Sequence, residues 1–490
     1  RYLTEVPGIR RVVANDYDTA AIETIRQAAK ICGAGEELEI HHGDALDVMY
    51  AARAGGLGTY DIIDIDPYGC AAGFLDAGVQ AVKDGGLLCI TSTDMPNLGG
   101  AQPGVAFARY GSVPTRSGYH HEMSLRILLH ATSAAAGRHR RSIRPVLSVA
   151  IDHYVRVFVR VSRSPRAALV AARKSTCYVL QSETCPSFFL LPVLPPPKAP
   201  KKDRAPTPRP LPSESSEPPP PLGIALTATP FAGEENCGGG SCGNGGGGGS
   251  DTSGSTGGTR ESTRPRTLGG VCPETGGALK MGGPIWSGPL HDEAWVERAT
   301  DLLAAAGGLA SEVHGADLLA RVAARRPRLA AAGRAESLLK AVSRELPDVP
   351  LFYNLRDMFS TLGFSRHPPR EQVMGALEAA GYRTSSMHRE PLALKTDAPG
   401  AAVWDILRCW ARDNPQPPPV RQAGRAILDR GPQLIAHVDF ATTQQAGAES
   451  RERDAAGSKG RFLHMHNPAG RWGPLSKWSV MADAVPGVEE

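Results

Sequence analysis

Short apolar runs alternate with helical spacing of apolar residues through the first 161 residues of the chain. The run 11–16 predicts a buried strand, and apolar side chains recur every three or four positions over 19–31, which predicts a helix. Runs of the same two kinds predict strands over 38–40, 60–66 and 86–93 and a helix over 74–82. Because strands that alternate with helices are typical of a parallel sheet covered on both faces, we expect an α/β, doubly wound fold here.

Two strand-like segments close this region, after a helix that is predicted over 122–135. They cover 146–151 and 154–161, and Asp152-His153 between them is short enough for a tight turn. In the second segment valines alternate with arginine and phenylalanine, the period of a half-solvated strand. We therefore expect an antiparallel hairpin at the end of the parallel sheet.

The composition changes sharply after residue 190. Residues 192–222 are dense in proline, and 238–258 are almost entirely glycine and serine, so we expect 191–270 to be a disordered insertion. Ordered patterning returns near 282–286, and a second region of helices and short strands runs to about residue 440. We expect a domain over 1–190, the insertion, a second domain over 271–440 and a basic, aromatic tail over 441–490.

Bulk properties narrow the class of protein only a little. A chain of 490 residues is long enough for two or three domains. Its 54 basic and 50 acidic residues give a net charge of +4, which permits a nucleic-acid partner without indicating one. No apolar run reaches 18 residues, so no membrane span is predicted. The nine scattered cysteines favour a reducing, intracellular compartment over a disulfide framework.

The strongest candidate for chemistry is Asp66-Pro67-Tyr68-Gly69, directly after the predicted strand 60–66. Open α/β sheets bind ligands beyond the carboxyl ends of their strands. A proline there turns the backbone outward, so the Asp66 carboxylate and a backbone carbonyl can accept both hydrogens of an exocyclic amino group, and Tyr68 can stack on a planar base. The motif therefore predicts amine methylation of a planar substrate. The alternative is a plain turn in which Asp66 caps the next helix and Tyr68 packs.

Two more acidic residues follow predicted strands. Asp16 ends the first strand and is suited to the ribose hydroxyls of a nucleotide cofactor, whereas Asp44, followed by Ala45, could accept from an adenine amino group. Either Asp16 or Asp18 could instead start a helix as its N-cap. Since Asp16, Asp44 and Asp66 recur at successive strand ends, we expect them to outline one crevice.

At these and other motifs the chain resembles the tRNA (guanine-26-N2)-dimethyltransferase family, and its eukaryotic members in particular. The resemblance is carried by Val13-Ala14-Asn15-Asp16, Gly43-Asp44-Ala45, 64–69, 84–95, 121–129, 152–161, 282–292 and 395–399. It implies a class I methyltransferase fold, a Rossmann-like doubly wound sheet with an antiparallel final strand, joined to a smaller α+β domain that binds tRNA.

The same resemblance implies an activity and a set of site residues. The family transfers one or two methyl groups from S-adenosyl-L-methionine to N2 of guanine 26 of tRNA. On that resemblance Asp16, Asp44 and Ala45 bind the cofactor, and Asp66, Pro67 and Tyr68 hold the target amine and its base. The nucleus, an organelle such as the mitochondrion, or both are the expected compartments.

The chain departs from the family pattern in two places. Family members carry a glycine-containing loop before the first strand seen here, and only Arg1-Tyr2 could belong to it, so we expect an N-terminal truncation and an incomplete cofactor pocket. Many members also have two Cys-x-x-Cys pairs, the spacing of a zinc site, where this chain keeps only Cys185 and Cys272. Cys237 and Cys242 in the predicted insertion could be recruited as further ligands, but glycine- and serine-rich sequence is a poor frame for a metal site, so we expect loss of zinc and predict no metal site. We interpret His120-His121-Glu122 as the packed start of a helix.

Basic residues offer surfaces for tRNA, although such clusters are also typical of solvated faces. The candidates are 138–141, Arg156, Arg160, and Arg461, Arg471 and Lys477 interleaved with Phe462, Trp472 and Trp478. Two other functions stay open at this point: a non-catalytic RNA-binding protein, and a methyltransferase for another exocyclic amine.

Overall fold

The fold is that of a computed structural model, which describes Leu3 and residues 9–53, 58–194, 268–305 and 332–440. The predicted tail 441–490 and nearly all of the predicted insertion lie outside these residues. The first elements alternate as predicted: β1 (Val12–Asp16), α1 (Thr19–Cys32), β2 (Leu38–His42), α2 (Ala45–Ala51), β3 (Tyr60–Ile65), a 3-10 turn (Ala72–Phe74), α3 (Leu75–Ala81) and β4 (Val82–Ser92).

Two short helices and one long helix follow, and then the predicted hairpin. These elements are α4 (Met95–Leu98), α5 (Pro103–Tyr110), α6 (His120–Arg138), β5 (Ser142–Ile151) and β6 (Tyr154–Ser162). β1 pairs with β2 in parallel, and the first four-stranded sheet has the order β3-β4-β6-β5, in which β3 and β4 are parallel and β6 is antiparallel to both neighbours. The parallel strands thus fall into two groups, and no described strand is hydrogen-bonded to both.

The alternation predicted for β6 is confirmed by its burial. Val155, Val157, Val159 and Val161 are fully buried, whereas Arg160 on the opposite face is exposed. The buried face packs on α6, in which Leu125, Ile127, Leu128 and Leu129 are also fully buried. Helix α6 therefore shares one hydrophobic core with the buried face of β6.

A second sheet joins segments from both sides of the predicted insertion. After α7 (Pro165–Lys174), the strands β7 (Thr176–Ser182), β8 (Phe188–Pro192), β9 (Leu268–Val271) and β10 (Ala278–Trp286) pair antiparallel in the order β8-β7-β10-β9. The predicted domain boundary at residue 190 falls inside β8, so hydrogen bonds connect the two sides of that boundary.

The remaining described chain is α+β, as expected. It contains α8 (Glu293–Ala305), α9 (Ala332–Val342), β11 (Tyr353–Asn354), α10 (Leu355–Leu362), α11 (Arg370–Ala379), β12 (Thr384–Met387), β13 (Glu390–Thr396), α12 (Gly400–Asp413) and α13 (Gln422–Leu428). β11, β13 and β12 form an antiparallel sheet in that order, and α12 contributes the fully buried Trp404 to its core. No described helix is long and apolar enough to cross a membrane.

A buried ionic network connects α6 to the C-terminal sheet. Glu122 accepts hydrogen bonds from Lys395 Nζ and Arg126 Nε, each at 2.8 Å, and all three side chains are fully buried. Arg126 also donates to the carbonyls of Trp286 at 2.9 Å and Gly288 at 3.0 Å. Burial opposes ionisation of Glu122, but the charges of Lys395 and Arg126 outweigh it and lower the pKa of Glu122 to about 2.

Candidate active site

The turn Asp66-Pro67-Tyr68-Gly69 follows β3 at the carboxyl end of the strand. Asp66 and Tyr68 are exposed, and Gly69 has a positive φ of 80°, which a residue without a Cβ adopts most easily. The next helical turn begins at Ala72 without a side-chain cap. Asp66 is therefore not a helix cap and Tyr68 is not packed, so the alternative of a plain capping turn is wrong.

Hydrogen bonds anchor this turn to the end of the neighbouring strand β4. Thr93 Oγ1 accepts from the Gly69 N–H at 2.8 Å, while the Gly69 carbonyl accepts from the Thr93 N–H at 3.0 Å and from Ser92 Oγ at 3.1 Å. Since three bonds hold the last residue of the turn, the carboxylate and the aromatic ring before it are presented from a fixed backbone.

Beneath the turn, Asp94 is a buried carboxylate that the sequence interpretation did not single out. It accepts from Arg109 Nη1 at 2.9 Å and from the Tyr110 hydroxyl at 3.3 Å, and Asn97 donates to its other oxygen. The sequence does carry a signal for Asp94, because this acidic residue closely follows the end of β4, as Asp66 follows the end of β3. Burial and the neighbouring Cys70 raise the pKa of Tyr110, so its hydroxyl stays protonated and can donate to Asp94.

Asp64 and Asp66 have different surroundings although one residue separates them. Arg156 Nη2 contacts both Asp64 oxygens at 2.9 Å, and this ion pair raises the pKa of Arg156 although burial opposes the shift. Within the described part of the chain, Asp66 forms no ion pair. The charge of Asp64 is thus compensated internally, whereas the carboxylate of Asp66 is available to a ligand.

Asp16 and Asp44 lie at one edge of the β1–β2 sheet. The Gly43 N–H donates to the Asp16 carbonyl at 3.1 Å, and Asn15 donates to the Gly43 carbonyl at 3.1 Å. One oxygen of Asp16 accepts from the Asp18 N–H at 2.9 Å, and one oxygen of Asp44 accepts from the Leu46 N–H at 2.8 Å.

Two aspartates cap the helices that follow β1 and β2. Asp18 caps α1, and Asp44 caps α2, whose first residue is Ala45. In Asp16 and Asp44 the bond described uses one carboxylate oxygen, which leaves the second oxygen to accept from a ligand. The structure brings Asp16 and Asp44 together, but Asp66 follows β3, which belongs to a different sheet, and no hydrogen bond connects it to them.

A pocket of about 270 Å³ opens near the turn that follows β3. It is lined by Met95, Pro96, Arg116, His120, His121 and His153, among others. Burial is the main cause that lowers the pKa of His121 to about 3, with a smaller contribution from the positive charge of Arg389, so this ring is neutral near pH 7. Met95 and Pro96 directly follow the anchor at Thr93 and Asp94. The sequence interpretation missed Arg116 and His153, because only the tertiary fold brings them here.

Two turns of the second sheet bring Cys185 and Cys272 together. Their Sγ atoms are 3.7 Å apart and both residues are buried. Ser182 and Thr275 stand where a Cys-x-x-Cys pair would have its other cysteine, and their hydroxyl groups contact the thiols. Two thiols and two neutral hydroxyls do not fit a tetrahedral zinc site, and no group of three potential metal ligands occurs among the described residues.

Most of the described basic residues that were predicted to face tRNA form hydrogen bonds or ion pairs with other groups of the chain. Arg138 and His139 contact Asp76, and Arg141 is buried and donates to the Val79 and Val82 carbonyls. Arg160 donates to the Gly85 carbonyl. The candidates Arg461, Arg471, Lys477, Phe462, Trp472 and Trp478 lie outside the described residues.

Comparison with solved structures defines the class of the fold. The complex structure of Trm1 from Pyrococcus horikoshii with S-adenosyl-L-methionine matches the chain with a TM-score of 0.55 and 23% identity, over 81% of this chain and 82% of that chain. The predicted methyltransferase fold with a second domain is thereby confirmed.

Sequence comparison defines the family. Residues 1–408 match the model of the N2,N2-dimethylguanosine tRNA methyltransferases, and the chain belongs to this family. It is 35% identical to tRNA (guanine(26)-N(2))-dimethyltransferase 2 of Arabidopsis thaliana and 32% identical to tRNA (guanine(26)-N(2))-dimethyltransferase of Homo sapiens, in each case over 97% of the chain. It spans 66% and 60% of the lengths of these two relatives.

Proposed function

We propose that the protein transfers one or two methyl groups from S-adenosyl-L-methionine to N2 of guanine 26 of tRNA. The observation that carries this proposal is the anchored turn after β3, which presents an unpaired carboxylate and an exposed ring from a fixed backbone. Membership of the N2,N2-dimethylguanosine tRNA methyltransferase family supports it.

In this proposal Asp66, Pro67 and Tyr68 hold the target nucleotide. The Asp66 carboxylate and a carbonyl of the turn accept the two hydrogens of the guanine amino group, and Tyr68 stacks on the base. Such positioning directs the nitrogen lone pair away from its acceptors. Because the surplus proton is lost after the nitrogen has attacked, Asp66 acts mainly by orientation and then as a proton acceptor.

The cofactor residues proposed are Asp16, Asp44 and Ala45. The second oxygens of Asp16 and Asp44 fit the ribose hydroxyls and the adenine amino group of S-adenosyl-L-methionine, which when bound supplies an electrophilic methyl group. Ala45 begins α2 next to the Asp44 cap, where a small side chain leaves room for an adenine ring.

We also propose that the pocket beside the turn contacts tRNA. Arg116 is exposed and forms no ion pair among the described residues, and the flat rings of His120 and His121, 4.0 Å apart, offer a surface for an RNA nucleotide.

The division into a methyltransferase domain over 1–190 and a tRNA-binding domain over 271–440 is part of the proposed function. So is an intracellular location in the nucleus, an organelle, or both; the Saccharomyces cerevisiae relative is named mitochondrial.

The decisive experiment is a methylation assay on unmodified tRNA that carries either guanine or adenine at position 26. We expect N2-methylguanine on the first substrate only, and a loss of roughly 100-fold or more in Asp66→Ala. Asp61→Ala is a matched control, because Asp61 is an exposed acid on the same strand whose only described ion pair, with Lys83, lies at the surface.

Three outcomes would contradict the proposal. Full activity of Asp66→Ala would remove the role of the turn, and methyl-adenine would indicate a different exocyclic amine. Tight binding of tRNA without methylation, with S-adenosyl-L-methionine shown to be bound, would identify a non-catalytic RNA-binding protein.

A further inference from the structure

The cysteine pair of the second sheet is a feature that the proposed methyl transfer does not use. Cys185 lies in the turn between β7 and β8, and Cys272 lies in the turn between β9 and β10. Their Sγ atoms are 3.7 Å apart, in a buried position, and Ser182 Oγ and Ser187 Oγ contact the Cys185 sulfur at 3.4 and 3.3 Å. Hydroxyl groups thus fill the space around two facing thiols.

This arrangement keeps the geometry of two facing Cys-x-x-Cys turns without the ligand set of a metal site. A structural zinc ion takes four thiolate or imidazole ligands, and a neutral hydroxyl is a poor replacement for a thiolate. The replacement of two thiols by Ser182 and Thr275 therefore leaves Cys185 and Cys272 facing each other with no ion to share.

We propose that Cys185 and Cys272 are an oxidative modification site, at which hydrogen peroxide joins them in a reversible disulfide. A disulfide has an S–S distance of about 2.0 Å, so the two turns must close the present gap by about 1.7 Å. The residues next to the pair reach the surface, since Thr184 beside Cys185 is exposed and Thr275, whose hydroxyl lies 2.7 Å from that of Thr184, is only partly buried. A molecule as small as peroxide can pass between them when the turns open locally.

The chemistry balances with peroxide as the oxidant. The Cys272 thiolate attacks one peroxide oxygen, the O–O bond breaks, and the products are a Cys272 sulfenic acid and hydroxide. The Cys185 thiol then attacks that sulfur, the S–O bond breaks, and water leaves as the S–S bond forms. The hydroxide takes up the proton that the Cys272 thiol released on ionisation, so in total two thiols and one peroxide give one disulfide and two waters, and two electrons pass from sulfur to oxygen.

The bond would connect the two sides of the segment that the structure does not describe. It would also hold two contacts to α12 in place, because Glu274 beside Cys272 pairs with Arg408 at 2.6 Å and Ser187 near Cys185 accepts from Trp404 at 2.9 Å. A cross-link between distant residues restricts the unfolded chain, so we expect oxidation to raise the melting temperature of the full chain by a few degrees.

The test is peptide mapping of the full-length chain after treatment with hydrogen peroxide, alkylation without reduction, and proteolysis. We expect one peptide pair that contains Cys185 and Cys272, two hydrogens lighter than the sum of its parts and separated by dithiothreitol. The rise in melting temperature should be absent in Cys185→Ser and in Cys272→Ser. The control Cys32→Ser removes an exposed cysteine and should keep both the cross-link and the rise.

Three results would overturn the proposal. The first is recovery of both cysteines in alkylated form after peroxide, and the second is a cross-link from either of them to Cys237 or Cys242 instead. The third is one equivalent of zinc in the purified chain that is lost in Cys185→Ser, since a bound metal would then occupy the thiols. None of these results depends on methylation of tRNA, so they are distinguishable from failure of the proposed function.

Discussion

The turn after β3, proposed to hold the substrate, and the ionic network on α6 use carboxylates in opposite ways. Asp66 is exposed, forms no ion pair among the described residues, and is attached to a backbone held by Thr93. Glu122 is fully buried and receives hydrogen bonds from Lys395 and Arg126. A carboxylate without partners is available to a ligand, whereas one that is fully partnered belongs to the structure. The contrast predicts that changes at the turn alter activity and changes in the network alter stability.

The largest expected effect is on the network. Glu122→Gln should destabilise the chain by about 3–5 kcal/mol, because it leaves Lys395 and Arg126 buried without a compensating charge. Denaturant unfolding measures this change. The double variant Glu122→Gln/Lys395→Met should lose less, since one of the orphaned charges is also gone. If Glu122→Gln alone were as stable as the wild type, the structural role assigned to the buried network would be wrong.

The same network predicts a dependence of stability on pH. The pKa of Glu122 is lowered from its ordinary value of 4.5 to about 2 in the folded state, so its contribution is complete above pH 4.5 and is lost as the pH falls toward 2. A shift of this size corresponds to about 3 kcal/mol. Unfolding measured from pH 6 to pH 3 should therefore show a steeper decline for the wild type than for Glu122→Gln. Parallel curves would contradict the assignment.

At the turn, Tyr68→Ala should affect substrate binding and leave the fold intact. Stacking of a base on an aromatic ring contributes about 1–3 kcal/mol, so we expect KM for tRNA to rise about 10-fold to 100-fold. The melting temperature should not change, because the ring is exposed. Tyr68→Phe keeps the ring and should restore the wild-type KM. A lowered melting temperature with unchanged KM would assign Tyr68 to packing instead.

Asp44 lies between the two extremes, because it caps α2 and is also a proposed cofactor residue. Asp44→Ala should cost about 1 kcal/mol of stability through the lost cap, together with affinity for S-adenosyl-L-methionine. Asp44→Ser keeps a capping oxygen and should recover the stability but not the affinity, as measured by calorimetric titration of the cofactor. Full recovery of both would mean that Asp44 is a helix cap only.

Local sequence signals predicted what depends on neighbouring residues. The period of β6, the helix α6 and the turn after β3 follow from residues close together in the chain, and the structure contains all three, although α6 extends beyond the predicted 122–135 to His120–Arg138. The identity of the motifs also led to the family, which the comparisons confirmed.

Contacts between distant residues could not be predicted in the same way. The pairing of β7 with β10 joins segments about 100 residues apart, and neither strand carries a signal that specifies its partner. Arg156 has the spacing of an exposed strand residue, so it was expected to face tRNA, yet it is paired with Asp64. Periodicity indicates the face of a side chain but not what meets it there. Arg116 and His153 were missed for the same reason.

The order β8-β7-β10-β9 has a consequence for engineering. The chain leaves the sheet at β8 and returns at β9, and these are its two outer strands, while β7 and β10 between them pair directly with each other. Since the entropic cost of closing a loop grows only slowly with its length, the connection between β8 and β9 is suited to the insertion of another domain. A fluorescent protein or an affinity module inserted there should be carried as cargo, with the fold on either side unchanged.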